Sequence, residues 1–368
     1  NLQRDETLEN PRCVFRILER HFARYTPEMV EKTCGLSKEL FLKVAEKLCE
    51  NSGPDRTSAL CYSVGWTQHA VGVQIVRAAA IVQLLLGNIG RPGGGILALR
   101  GHASIQGSTD IPTLFNLLPG YLPMPHAKEA QSLERYLKST TSASGWWSEQ
   151  PKYFVSLLKA WYGQAARAED EWAFDHLPKL TGNHSHLTTI ADMAEGRVKG
   201  YFVMGQNPVV GSTHGALQRK AMRRAEWVVV RDFVLTETAE IWRKGPEYER
   251  GEVKPEEVQT EVFFFPAAAH TEKDGSFTNA HRLVQWHHKA IEPPGDARSE
   301  LHFAFHLGRR LKALYAGSTD PKDRPLLDLT WDYPTEGPLA EPRAEAVVRE
   351  INGYTIADGA PIPGYTAL

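Results

Sequence analysis

Three short polar runs carry the residues best suited to chemistry: Gly65-Trp66-Thr67-Gln68, Gly205-Gln206-Asn207-Pro208 and Arg231-Asp232. Each follows an apolar stretch that reads as a strand. In a parallel sheet, ligands bind beyond the carboxyl ends of the strands. Glycine allows close backbone approach, and Thr67 or Gln68 at a helix start would hold a phosphate together with free amides. Asp232 at a strand end would accept hydrogen bonds from a guanine edge or a ribose. Ordinary turn chemistry plus a helix cap explains the same residues, and such edges are common. The pattern alone leaves both readings open. Arg100-Gly101-His102 opens a further polar run ending at Asp110. An arginine beside a glycine can present a rigid fork to a carboxylate. Taken singly, it reads first as a solvated surface arginine.

Other chemistry is poorly supported. Cys13, Cys34, Cys49 and Cys61 form no C-x-x-C clip, so neither a zinc ribbon nor an iron–sulfur motif can be read from them. They are expected to be buried thiols, Cys61 in an apolar run. His287-His288 and the other histidines lack metal-ligand spacing. Asp274-Gly275, within Lys273 to Asn279, signals a tight turn and so a hairpin. A formal charge of -2 argues against a nucleic-acid partner. The longest apolar stretch, Ile75 to Leu86, is broken by Arg77 and Gln83, so it is not expected to span a membrane.

The elements that must position these residues are legible in outline. Residues 1–50 read as helices: Thr26-Pro27-Glu28 is a start signal, and Ser37 begins a helix with Leu40, Phe41, Val44, Ala45 and Leu48 on one face. Ser58 to Val64 reads as a short buried strand. A helix from about Gln68 to Leu86 follows, apolar on nearly every face and therefore expected in an interior. It stops at the Gly/Pro-rich run from Gly87 to Gly95. From Pro123 to about Val198 the pattern weakens and reads as an insertion. A second unit follows: strand Gly200 to Met204, helix Thr213 to Arg224, strand Trp227 to Val230 and strand Val262 to Phe265. This alternation predicts α/β architecture with a parallel sheet and right-handed crossovers. Residues 331–368, rich in Pro and Gly, read as a linker or arm.

Read together, "YSVGWTQHAVGVQ", "LLGNIGRPGGGILALRGHASIQGSTD", "VMGQNP", "VVVRDFVLTETAEIW" and "EKDGSFTNAHRLVQW" resemble formate dehydrogenase catalytic subunits, in order and over almost the whole chain. These belong to the wider molybdopterin oxidoreductases. The resemblance implies parallel-sheet, dinucleotide-binding α/β domains of the formate dehydrogenase/DMSO reductase type, here partial. It implies two molybdopterin guanine dinucleotides carrying molybdenum or tungsten. Arg100 matches the arginine that faces formate, and His102 a neighbouring polar position. Val64, Gly65, Thr67, Gln68 and Gly101 match cofactor-binding positions. Gly205, Gln206 and Asn207 match a second turn, and Arg231, Asp232 and Thr236 a strand end that receives a guanosine. Asn279 and Arg282 match a returning segment.

By the same resemblance, residues 1–102 would form an α/β domain ending at the arginine loop. Residues 103–255 would form a second, cofactor-binding one with an insertion at about 123–199. Residues 256–330 would return to a cluster-bearing domain, and 331–368 would be an arm. The family's 4Fe-4S cysteines and its metal-ligating selenocysteine or cysteine, followed by a histidine, find no match here. The chain is therefore expected to be an internal piece, inactive by itself, of a subunit that oxidises formate to carbon dioxide. The implied partners are an iron–sulfur electron-transfer subunit and a membrane cytochrome subunit. The implied location is the periplasm, membrane-associated through partners, with a cytoplasmic one as the alternative. Two rival readings stand beside this: a relative acting on nitrate or a sulfur oxide, and a non-catalytic structural piece.

Overall fold

Side-chain caps set the first helices. α1 spans Val14–Phe22. Thr26 accepts from the Met29 amide at 3.2 Å and Pro27 opens α2 (Pro27–Cys34). Ser37 accepts from the Leu40 amide at 3.3 Å and opens α3 (Lys38–Glu50). Both caps are those expected from residue type. The computed structural model describes residues 3–129, 132–280, 283–330 and 332–351. The chain divides into two compact units, the first ending at His102 and the second beginning at Ala103.

In the first unit, β1 (Ala59–Tyr62) leads through α4 (Val64–Thr67) and α5 (Gly72–Leu85) to β2 (Gly95–Ala98). The two strands pair in parallel, from Ala59↔Gly95 to Tyr62↔Ala98. The strand expected over Ser58 to Val64 is thus shorter, and it is half open to solvent rather than buried. Cys34, Cys49 and Cys61 are exposed and Cys13 half-buried, contrary to the expectation of buried thiols. The helix expected from Gln68 to Leu86 begins later, at Gly72, and is separate from the short α4, which ends at Thr67. A Cβ on Gly72 would lie 2.7 Å from the carbonyl oxygens of both Trp66 and Thr67, so the chain bends there through a residue without one. Nor is α5 interior: only Gly72, Ala79 and Gln83 are buried, and Val73 is 81% exposed. A two-stranded sheet covers one face of a helix, whereas the composition asks for cover all round.

The run after α5 is a clamp. Asn88, fully buried, donates to Ser52 Oγ (2.9 Å), Ser58 Oγ (3.1 Å) and Gln83 Oε1 (2.8 Å). Arg91 donates to the Gly53 and Pro54 carbonyls at 2.6 and 2.5 Å. These bonds hold the residues before β1 against those before β2. A Cβ on Gly94 would sit 2.2 Å from the Asn88 carbonyl oxygen, a backbone atom that cannot swing aside. Gly94→Ala should therefore destabilise this unit by about 1–3 kcal/mol, as overpacking does. Urea unfolding checks this, and an unchanged midpoint would refute the close approach.

The second unit begins with α6 (Ile105–Asp110) and a small antiparallel pair, β3 (Leu117–Leu118) and β4 (Leu122–Pro123). α7 (Leu133–Thr140) and α8 (Gln150–Tyr162) follow. The region read as a weakly patterned insertion has its own core. Phe154, Leu158 and Phe174 are fully buried, with Tyr136 and Tyr162 beside them. The Tyr136 ring lies 4.6 Å from Phe154 and 5.6 Å from Phe174. Tight 3₁₀ turns and left-handed backbone at Glu171, Trp172 and Ala173 break the helical period that sequence reading relies on.

The expected parallel sheet is present. After α9 (His186–Ala194), β5 (Gly200–Met204) leads through α10 (Pro208–Gly211) and α11 (Gly215–Met222) to β6 (Trp227–Asp232). α12 (Pro246–Glu249) and β7 (Glu261–Pro266) follow. The strand order is β5-β6-β7, all parallel. Val203, Val228 and Val230 pack on Ile190, Met193 and Met222 from the helices of one face. β8 (Gly275–Thr278) and β9 (Val284–His287) form the expected hairpin, although Asp274-Gly275 sits at its open end, where Gly275 begins β8, and does not make its turn. α13 (Glu300–Leu314) and α14 (Arg324–Asp328) come next. The stretch read as an arm contains a hairpin, β10 (Thr335–Glu336) with β11 (Glu341–Pro342), and α15 (Ala344–Ile351). Residues 352–368 lie outside the described residues. No helix among the described residues is long and apolar enough to cross a membrane.

Candidate functional site

Because β1 and β2 are parallel, their carboxyl ends open on one edge. β1 runs into the turn that carries Val64, Gly65, Thr67 and Gln68, all exposed. Tyr62 and Trp66 stack at 5.2 Å and brace that turn. Leu99 donates to the Tyr62 carbonyl at 2.7 Å, which extends the pairing one residue past β2. The chain then presents Arg100, Gly101 and His102 to solvent. Among the described residues, the Arg100 guanidinium has neither a hydrogen-bond acceptor nor an ion-pair partner. A cationic fork and a backbone turn thus share one sheet edge. One detail differs from expectation: Thr67 and Gln68 close the short α4 and do not open a long helix. The Gln68 amide is already bonded to the Val64 carbonyl at 2.9 Å.

In the second unit, the loops after β5 and β6 are tied together. Gly205, at φ 64°, donates its amide to the Arg231 carbonyl at 2.9 Å. Asn207 Oδ1 accepts from the Thr238 amide (3.2 Å) and hydroxyl (2.7 Å), and its Nδ2 donates to Glu237 at 2.6 Å. Asn207 therefore fixes the loops and has little hydrogen-bonding capacity left for a ligand. Gln206 remains exposed, with one bond to Ser212 Oγ at 3.2 Å. Asp232 is half-buried and accepts from the Phe233 amide at 2.8 Å, leaving its second oxygen available. Three consecutive apolar side chains, Phe233, Val234 and Leu235, stand 63%, 65% and 55% exposed beside it. The Thr236 hydroxyl is buried and has no hydrogen-bond partner among the described residues.

Arg231 does not face this edge. It is 1% exposed and donates to the carbonyls of Arg298 (2.7 Å) and Ser299 (3.2 Å). Strand alternation puts its side chain on the face under α13, so it supports the strand end rather than reaching for a nucleotide there. Asn279 closes the β8–β9 loop, its Oδ1 accepting from the Leu283 amide at 3.2 Å. Arg282 lies outside the described residues. Sequence reading missed Ser104, whose hydroxyl accepts from the Thr278 amide at 3.3 Å and binds α6 to β8. It also missed Thr238. Neither bond has a local signal, since the partners are far apart in sequence.

The groups on these loops suit a ligand with a polar edge and a ring. Asp232 offers a carboxylate oxygen, the exposed apolar loop offers surface for a ring, and beneath it the buried Thr236 hydroxyl has a bond unmet among the described residues. Among the described residues no three His, Cys, Asp or Glu side chains gather as a metal-ligand group.

A family model for molybdopterin oxidoreductases matches residues 5–241 and 263–310. The major subunit of nitrate-inducible formate dehydrogenase from Escherichia coli (strain K12) is 41% identical over 362 residues, 97% of this chain and 35% of that protein. The alpha subunit of formate dehydrogenase 2 (cytochrome c-553) from Nitratidesulfovibrio vulgaris is 38% identical over 362 residues, 96% of this chain and 34% of its own length. Acetylene hydratase from Pelobacter acetylenicus is a structural neighbour at 15% identity and a TM-score of 0.46, covering 87% of this chain and 38% of that one. The chain spans about a third of the length of the curated relatives it matches.

Proposed function

This chain belongs to the molybdopterin oxidoreductase family, and we propose that it is a middle part of a formate dehydrogenase catalytic subunit. The reaction is the oxidation of formate to carbon dioxide: the C–H bond breaks, two electrons leave, and a proton goes to a base outside this chain. Two molybdopterin guanine dinucleotides carrying molybdenum or tungsten supply the electron acceptor when bound. This chain's residues bind and orient. Arg100 holds the formate carboxylate in a charge-assisted fork and stabilises its charge as the bond breaks. His102 and Gly101 shape the same edge. Val64 to Gln68 receive one dinucleotide, and Gly205, Gln206, Asp232 and Thr236 the other, with Asn207 fixing the loop.

The carrying observation is Arg100. It is exposed, and unpartnered among the described residues, at the edge that also holds the Val64–Gln68 turn, in a chain 41% identical to a formate dehydrogenase subunit. The relative named for cytochrome c-553 supports electron delivery to partner proteins. We assign those partners as an iron–sulfur subunit and a membrane cytochrome, with the electrons leaving through a 4Fe-4S cluster bound elsewhere in the subunit. We place the complex in the periplasm as part of anaerobic respiration.

The test uses the full-length protein. It should contain molybdenum or tungsten together with iron, and reduce a viologen dye when given formate. Metal-replete protein that turns over nitrate and ignores formate would overturn the substrate. Protein without either metal would overturn the enzyme reading.

A further inference from the structure

The β6–β7 strand ends border a second concave site that the formate reading does not use. α13 crosses the sheet face that carries Arg231 and Phe265, which are cross-strand partners. Its Phe303 ring lies 5.3 Å from Phe265, and the Arg231 guanidinium sits 4.9 Å from Phe303. The β10–β11 hairpin lies over α13. His302 and His306, one turn apart on α13, bond through Nε2 to the carbonyls of Leu339 (3.1 Å) and Ala340 (3.0 Å). A carbonyl only accepts, so both imidazoles carry a proton on Nε2. The Ser299 hydroxyl binds the Glu341 carboxylate beside them. These bonds make the cavity a built feature and not a gap under a loose loop.

Its volume is about 650 Å³, within the range of small-molecule sites. The walls are largely apolar, and Phe265 remains 42% exposed despite the helix and hairpin around it. The charged groups lean one way. Arg231, Arg298 and Arg310 line the cavity against one acid, Asp296, whose side chain is 93% exposed and pairs with Arg298 at 3.6 Å, so Arg231 and Arg310 carry the excess. Arg231 is buried in the wall, and among the described residues its Nε and Nη1 have no hydrogen-bond acceptor. Glu300, 3.8 Å away, offers its other oxygen to Lys273. A buried guanidinium whose donors are only partly met leaves a positive potential in a low-dielectric wall.

We propose that this cavity binds a small apolar carboxylate. Its ring or chain would lie against Phe265 and Leu307, with the carboxylate turned to the arginines.

The experiment is titration calorimetry on the full-length protein with indole-3-carboxylate and, separately, its neutral carboxamide. The carboxylate should bind at least about ten-fold more tightly, a difference that separates charge recognition from greasy contact. Leu307→Trp, which fills the cavity, should remove binding. Arg310→Glu changes an exposed side chain and should weaken binding by about ten-fold or more. Formate turnover should be unchanged in both variants, so failure here is distinguishable from failure of the formate reading. If Leu307→Trp fails to fold, Arg310→Glu decides. Equal affinity for acid and amide, no binding of either, or unaltered binding in Arg310→Glu would each overturn the proposal.

Discussion

Arg100→Leu in the full-length enzyme should cost about 10²–10³-fold in kcat/KM for formate, the loss typical of removing one preorganised group that stabilises transition-state charge. The geometry makes this a clean experiment. Arg100 is exposed and holds no other group among the described residues, so its loss removes no contact seen in the fold. The melting temperature should stay where it is while turnover collapses. Arg100→Lys keeps the charge and loses the planar fork, so it should recover only part of the activity. Turnover within a few-fold of wild type in Arg100→Leu would remove the residue from the mechanism and take the main support for formate with it.

Glu247→Ala should have the largest effect on stability. Glu247 of α12 receives Arg219 Nε at 3.0 and 2.9 Å, Arg219 Nη2 at 2.9 Å and Arg223 Nη1 at 3.2 Å, the first arginine on α11 and the second at its C-terminal cap. The three side chains are only 10%, 18% and 11% exposed. Removing the carboxylate leaves two facing guanidinium groups without their counter-charge, which costs about 3–5 kcal/mol in comparable buried pairs. Burial by itself would raise the Glu247 carboxyl, but the two arginines and a backbone bond hold it down, at about 2. The folded value lies below the ordinary 4.5. The stabilisation is therefore complete above pH 4.5 and fades as the pH falls toward 2. Urea unfolding across that window should show a slope that Glu247→Gln flattens. Equal slopes, or a loss in Glu247→Ala well under 1 kcal/mol, would mean that the cluster contributes little, as exposed pairs do.

How far sequence alone reaches depends on the range of the interaction. Thr26, Pro27 and Ser37 start helices through bonds within one turn, so residue type suffices. β5 has the bounds expected of it, because an apolar run between a helix and a glycine has few other options. The parallel arrangement of β5 and β6 followed from the intervening helix, since a helical crossover carries the chain back to the edge it started from. The strand-end positions of Gly205 and Asp232 were legible for the same reason, whereas Thr236 came only with the resemblance.

Other features depended on contacts between residues far apart in sequence. β2, four residues after a glycine run, is a strand only because β1 lies beside it. Whether α5 or Cys61 is covered depends on what else packs nearby, and apolarity reports demand for cover rather than its supply. The aromatic core around Phe154 forms across left-handed and 3₁₀ turns that leave no period to read. Arg231 looked like a ligand residue at a strand end. Only the position of α13 and its carbonyl partners reveal that it turns inward. The sequence by itself determined the helix starts, the strands of the second sheet, the family and the residues available for chemistry, because those are set by local spacing and by motif order. The tertiary structure alone decided which of those residues face solvent and which are bound into the frame, because burial and hydrogen bonding are settled by partners tens of residues away.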